Sequence, residues 1–187
     1  MNAERFYSGK TFDQFLDSAV KLKELWVGTH KRVEVPATYV AQLEDVAGQW
    51  HIVALSEDWC LDAVTTVTPV AKLCELAINF DFRVFERDQN LDLMDAHLTN
   101  GSRSIPVMIL YDENWTERAC WGPRPKELQL WVMDWMAKNG KDGNNDEKYR
   151  YIRGWYARDK GQAALREVTE MVVGAGGAPA QNAVITP

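Results

Sequence analysis

HIVALSEDWCLDA, residues 51–63, is the stretch around which the rest of the chain is organised. Its apolar run passes through Ser56, Glu57 and Asp58 to Trp59-Cys60 and then into a helical pattern, so it reads as a buried strand, a tight turn and a helix N-terminus. Cys60 stands at that junction, on an exposed type of turn. Free backbone N–H groups and the positive dipole end of a helix favour a thiolate there, which turns an inert thiol into a nucleophile. Glu57, Asp58 and Asp62 act the other way by repelling a thiolate, and the sequence leaves the net sign open. A carboxylate such as Asp62 in a first helical turn also stabilises the helix by ~0.3–1 kcal/mol without any catalytic part.

Upstream, residues 11–30 carry Phe12, Phe15, Leu16, Ala19, Leu22, Leu25 and Trp26 at helical spacing, predicting one helix capped by Thr11 and ended by Gly28. Pro36 opens a second helix, with Tyr39, Val40, Leu43 and Val46 on one side and Gly48 closing it. Downstream, 52–55 is the first strand and 63–78 a long helix that Pro69 kinks. A second strand over 82–85, a short helix over 88–98 and a third, wholly apolar strand over 107–111 follow. Asp112 and Asn114 then turn the chain into an antiparallel strand over 116–121, and 125–138 is an amphipathic helix. A polar loop over 139–146 leads to a helix over 148–173 that Gly161 interrupts. Residues 174–187, small, apolar and Gly/Pro-containing, predict a disordered tail. The fold class is therefore α/β, a central mixed sheet flanked by helices. Its parts are an N-terminal helical extension (1–35), the α/β domain (36–140), a C-terminal helical extension (141–173) and the tail.

The 187 residues are 46% hydrophobic, enough for one domain with decorations. A net charge of -6 gives no broad basic surface, which argues against nucleic acid and anionic membrane as partners. Residues 1–30 lack the pattern of a secretory signal, and no apolar run approaches the roughly 20 residues that span a bilayer, so a cytoplasmic location is expected. Three cysteines, Cys60, Cys74 and Cys120, are an odd number without metal-type pairing and suit a reducing compartment. His30, His51 and His97 show no spacing that puts two on one face, so no metal site is expected.

Three features together resemble the thioredoxin superfamily: Trp59-Cys60 after an apolar strand, Ser104-Ile105-Pro106 before the third core strand, and Trp121-Gly122 after the fourth. The likeness covers roughly residues 36–140 and is greatest to bacterial thioredoxin-like proteins with a Trp-Cys-x-Asp-Cys motif, whose Asp is Asp62 here. The resemblance implies a thioredoxin fold with Cys60 as nucleophile and a cis peptide at Pro106. It further implies that Ile105 and Pro106 position the substrate, and that Trp59, Trp121 and Gly122 border the groove. Two departures stand out. Ala63 replaces the second cysteine, which removes self-resolution, and Ala54 replaces the family's buried acid, which removes a proton-transfer group.

A mixed disulfide on Cys60 therefore needs another thiol to release it. Cys74 would lie about 21 Å along the helix at ~1.5 Å per residue, far beyond the ~7 Å Cα limit for bonding, and reads as core. Cys120 is either an internal resolver or a packed strand cysteine. The expected activity is monothiol disulfide reduction or deglutathionylation of a disulfide-containing protein or a low-molecular-weight mixed disulfide. A small thiol such as glutathione or bacillithiol is then the co-substrate, with no bound cofactor. The other reading is a redox-silent thioredoxin-fold module that binds a protein partner. Fold similarity does not choose between them, and the oligomeric state is open.

Overall fold

β1 (Trp50–Ser56) is buried along its whole length, because apolar side chains face both layers that cover it. It pairs in parallel with β2 (Phe80–Glu86), Ile52 opposite Phe82, and antiparallel with β3 (Val107–Tyr111), Leu55 opposite Val107. β3 pairs antiparallel with β4 (Glu117–Trp121), Met108 opposite Trp121, and the two-residue β5 (Ala183–Val184) joins β4 in parallel. The order is β2-β1-β3-β4-β5. These registers bring the C-terminal ends of β1 and β4 and the N-terminal end of β3 to one end of the sheet. The structure, a computed structural model, describes residues 1–140, 145–176 and 183–184.

Helices α1 (Ala3–Tyr7), α2 (Phe12–Ser18), α3 (Lys23–Arg32) and α4 (Ala37–Glu44) precede the sheet, and α5 (Leu61–Leu76) links β1 to β2. A 3-10 turn at Arg87–Gln89 and α6 (Leu91–Asp95) lead towards β3, while α7 (Lys126–Asn139), α8 (Asn145–Asp159) and α9 (Gln162–Gly176) follow β4. The architecture is the expected α/β one, a mixed sheet flanked by helices with further helices at both ends. A Lys10–Val84 antiparallel bridge covers the outer edge of β2 and blunts it against pairing with other chains. Among the described residues no helix is long and apolar enough to cross a membrane.

Several elements differ from the sequence expectation. The single helix over 11–30 is two. The chain leaves α2 at Ala19, in extended conformation, and re-enters a helix after Leu22 at φ 52°. The break is tertiary in origin: Asp58 Oδ2 accepts from the Val20 and Lys21 amides at 2.8 Å each, and Trp26 Nε1 donates to the Asp58 carbonyl at 2.8 Å. Gly28 lies inside α3 instead of ending it. α1, unforeseen, is stapled by Asn2, whose side chain accepts from the Arg5 amide. The helix read over 88–98 shrinks to the 3-10 turn and the five residues of α6.

α5 runs through Pro69, which leaves the Thr65 carbonyl without its helical donor. Gly161, between α8 and α9, packs there. Its φ is +84°, and a Cβ would lie 2.5 Å from Pro69 Cγ and 3.2 Å from the Thr65 oxygen. α9 then continues to Gly176, so the stretch read as a tail from Gly174 begins as helix, and Ala183–Val184 pairs with β4. The rest of it, and residues 141–144 of the polar loop, lie outside the described residues.

One apolar core takes side chains from all of these parts. Phe6, Trp26 and Leu43 of the N-terminal helices and Leu165, Val168 and Val172 of α9 join Ile52, Leu55, Val67 and Leu110 in a single cluster. A second, smaller cluster of Leu128, Val132, Ile152, Trp155 and Tyr156 holds α8 on α7.

Candidate functional site

The turn between β1 and α5 carries Glu57, Asp58, Trp59 and Cys60. Cys60 is the N-cap of α5, in extended conformation at φ -85° and ψ 109°. A helix start leaves its first amides unsatisfied, and those of Asp62 and Ala63 point at the Cys60 sulfur. The Ile105–Pro106 bond is cis, and Cys60 Sγ donates to the Ile105 carbonyl at 3.6 Å. Cys60 is only 7% exposed, not at an open turn as its sequence context suggests, because the Ile105–Pro106 segment packs over it.

Burial pushes the Cys60 thiol up to about 11. The Ala63 and Asp62 amides and the Arg124 charge pull it down, while the Asp62 carboxylate adds to the rise. The other two acids of the turn are turned elsewhere: Asp58 caps the α2–α3 corner, and Glu57 Oε1 accepts from the Asp88 amide at 2.9 Å. Asp62 is paired with Arg124, Oδ2 to Nη2 at 2.6 Å, with both side chains largely buried. Desolvation outweighs the local charges in holding the sulfur protonated.

Residues bordering this point come from distant segments. Trp59 is 47% exposed and lies under Arg87, whose guanidinium carbon is 5.2 Å from the ring centroid. Leu61 next to it is also exposed. Gly122, in a cis bond to Pro123, takes φ +133°, and a Cβ there would land on the Pro106 carbonyl oxygen. That close approach of two backbones is why glycine follows Trp121. Trp121 itself is half-buried, and its indole Nε1 donates to Glu167 Oε2 of α9 at 2.8 Å. Glu167 also caps α7, accepting from the Lys126 amide at 3.1 and 3.2 Å. Trp121 thus anchors the C-terminal helices to the site end of the sheet.

Cys60, Trp59, Ile105, Pro106, Trp121 and Gly122 all lie at this end. Cys74 is buried in the core, Cys120 is half-buried on β4, and none of the three cysteines is bonded to another. Arg124, Tyr156 and Glu167 were not legible from the sequence as site residues. The cue for Arg124 was its place directly after Gly122-Pro123, but its carboxylate partner sits on another element. Among the described residues, no group of three or more His, Cys, Asp or Glu side chains is placed to hold a metal ion.

No curated protein matches the chain. Two solved structures superpose on it with a TM-score of 0.69 at 15% identity, each over 92% of this chain and 97% of its own. One is a protein of unknown function from Pseudomonas aeruginosa and the other an HIV epitope scaffold. At that identity the likeness is one of fold alone. The sequence pattern of the family described as thioredoxin matches residues 9–139, reaching into the N-terminal helices as well as the sheet, and the chain belongs to that family.

Proposed function

We propose that the protein is a thiol–disulfide oxidoreductase working through Cys60 alone. The observation that supports this best is the meeting of three features at one point: the Cys60 sulfur, the N-terminus of α5, and the Ile105 carbonyl ahead of cis-Pro106. At rest the sulfur is a thiol donating to that carbonyl. An extended substrate that lays its backbone N–H on Ile105 takes the acceptor away from the S–H, and the two α5 amides are left to favour the thiolate. The thiolate attacks one sulfur of a mixed disulfide; the S–S bond breaks, Cys60 forms a new disulfide, and the departing thiolate takes up the proton. A second, low-molecular-weight thiolate of the glutathione class then attacks that disulfide, frees Cys60 and leaves as its own disulfide. Trp59 and Leu61 offer apolar surface to the substrate beside the sulfur.

The test is reduction of a glutathionylated peptide with glutathione as reductant, comparing wild type with Cys60→Ser. Loss of turnover in the variant is the expected result; retained turnover overturns the reading. A redox-silent binding module is favoured by one observation, the burial that holds the thiol near 11. Under it wild type has no turnover, and Cys60→Ser still binds its peptide.

A further inference from the structure

Of the three acids near Cys60 in sequence, Asp62, in the first turn of α5, is the one that faces the sulfur, and it is not solvated. Its carboxylate is only 14% exposed and meets Arg124, 20% exposed, at 2.6 Å. Gln129 fixes the guanidinium from α7, its Oε1 accepting from Arg124 Nη1 at 3.1 Å. Tyr156 of α8 covers the pair. The residue is 6% exposed, and its hydroxyl lies towards Asp62 and Thr65 without completing a hydrogen bond to either. Asp62 Oδ1 and Arg124 Nε are likewise buried without a partner among the described residues. A buried carboxylate acts on its neighbours at low effective dielectric, so what pairs with it decides how strongly Cys60 feels its charge.

We propose that Arg124 is a positioning residue for Cys60: held by the Gly122–Pro123 turn and enclosed by Tyr156 of the C-terminal extension, it closes Asp62 into an ion pair and so shields the sulfur from that carboxylate. This rests on Cys60 being the working nucleophile. The charged groups facing the sulfur are Asp62 on α5 and Arg124 on the turn after β4; Glu57 and Asp58 are engaged elsewhere. The C-terminal helices, outside the matched family region, thereby reach the chemistry.

The experiment is Cys60 alkylation by iodoacetamide against pH, read by intact mass in a Cys74→Ser, Cys120→Ser background. Because the resting thiol lies well above neutral, the parent rate should rise about tenfold per pH unit from pH 6 to 9. Arg124→Gln should slow alkylation at pH 8 by about tenfold. In the Asp62→Asn background the same Arg124→Gln change should slow alkylation by less than about threefold, since only the direct pull of the guanidinium on the thiolate is then left to lose. Equal losses in both backgrounds mean that Arg124 acts directly or structurally, and overturn the proposal, as does no loss in either. Should Arg124→Gln alone fail to fold, the double variant, with no unpaired buried charge, still decides: alkylation tenfold slower than in Asp62→Asn overturns the proposal. Disulfide turnover plays no part in this readout. A failed coupling with intact turnover therefore sinks the Arg124 role alone, and a present coupling without turnover sinks the oxidoreductase reading alone.

Discussion

At the scale of single residues, the thiol's state is decided by burial more than by the acidic turn that surrounds it in sequence. Glu57, Asp58 and Asp62 each have a partner of their own, so three neighbouring carboxylates exert far less repulsion on Cys60 than their spacing suggests. Gly122 is equally constrained, at φ +133° with the Pro106 carbonyl oxygen standing where a Cβ would go. Gly122→Ala should cost about 3 kcal/mol or more, from backbone strain and from pushing the turn off Pro106, measured by chemical denaturation. A loss under about 1 kcal/mol would mean that the two backbones separate freely.

At the scale of elements, the segment between α6 and β3 is tethered by His97. Its Nδ1 lies 2.7 Å from the Leu93 carbonyl and its Nε2 2.9 Å from Glu117 Oε1, so both ring nitrogens face acceptors and only the imidazolium donates to both. Burial alone would lower the His97 pKa, but Glu117 and the Leu93 carbonyl outweigh it and raise it. A raised folded-state pKa contributes stability that is fully present below the unfolded value of about 6.5 and lost as pH rises through the folded value. His51 has the opposite sign. Burial against Trp115, ring centroids 4.1 Å apart, lowers its pKa, and its contribution fades as pH falls below about 6.5. The difference in unfolding free energy between wild type and His97→Gln should therefore be larger at pH 5.5 than at pH 8, with His51 common to both proteins. An equal difference at the two pH values would refute the charged tether.

At the scale of the whole molecule, the C-terminal helices belong to the main core. Leu165, Val168 and Val172 are fully buried there, and each such side chain contributes about 1.5–3 kcal/mol against a typical net stability of about 5–15 kcal/mol. A chain ending at Gly140 should lose cooperative unfolding and aggregate, as read by circular dichroism melting and size exclusion. A monomeric truncation with a cooperative melt would show that α8 and α9 are dispensable. The same truncation removes Tyr156 and Glu167, the residues through which these helices touch Asp62, Trp121 and the start of α7.

The sequence alone determined the order of the central elements, because their signals are local. The apolar runs of β1 and β3, the Pro36 and Pro125 helix starts and the Trp59-Cys60 turn each state their structure within a few residues. The fold class followed from that order, and the candidate thiol from its place before α5. Tertiary structure decided what depends on partners far along the chain. Asp58 breaks the first long helical pattern by holding the Val20 and Lys21 amides, Pro69 receives Gly161, and Ile105 buries Cys60. Arg124 and Tyr156, the groups that enclose Asp62, were hidden for the same reason: periodicity reports which face of an element is apolar, but not which charge from another element will be buried against it.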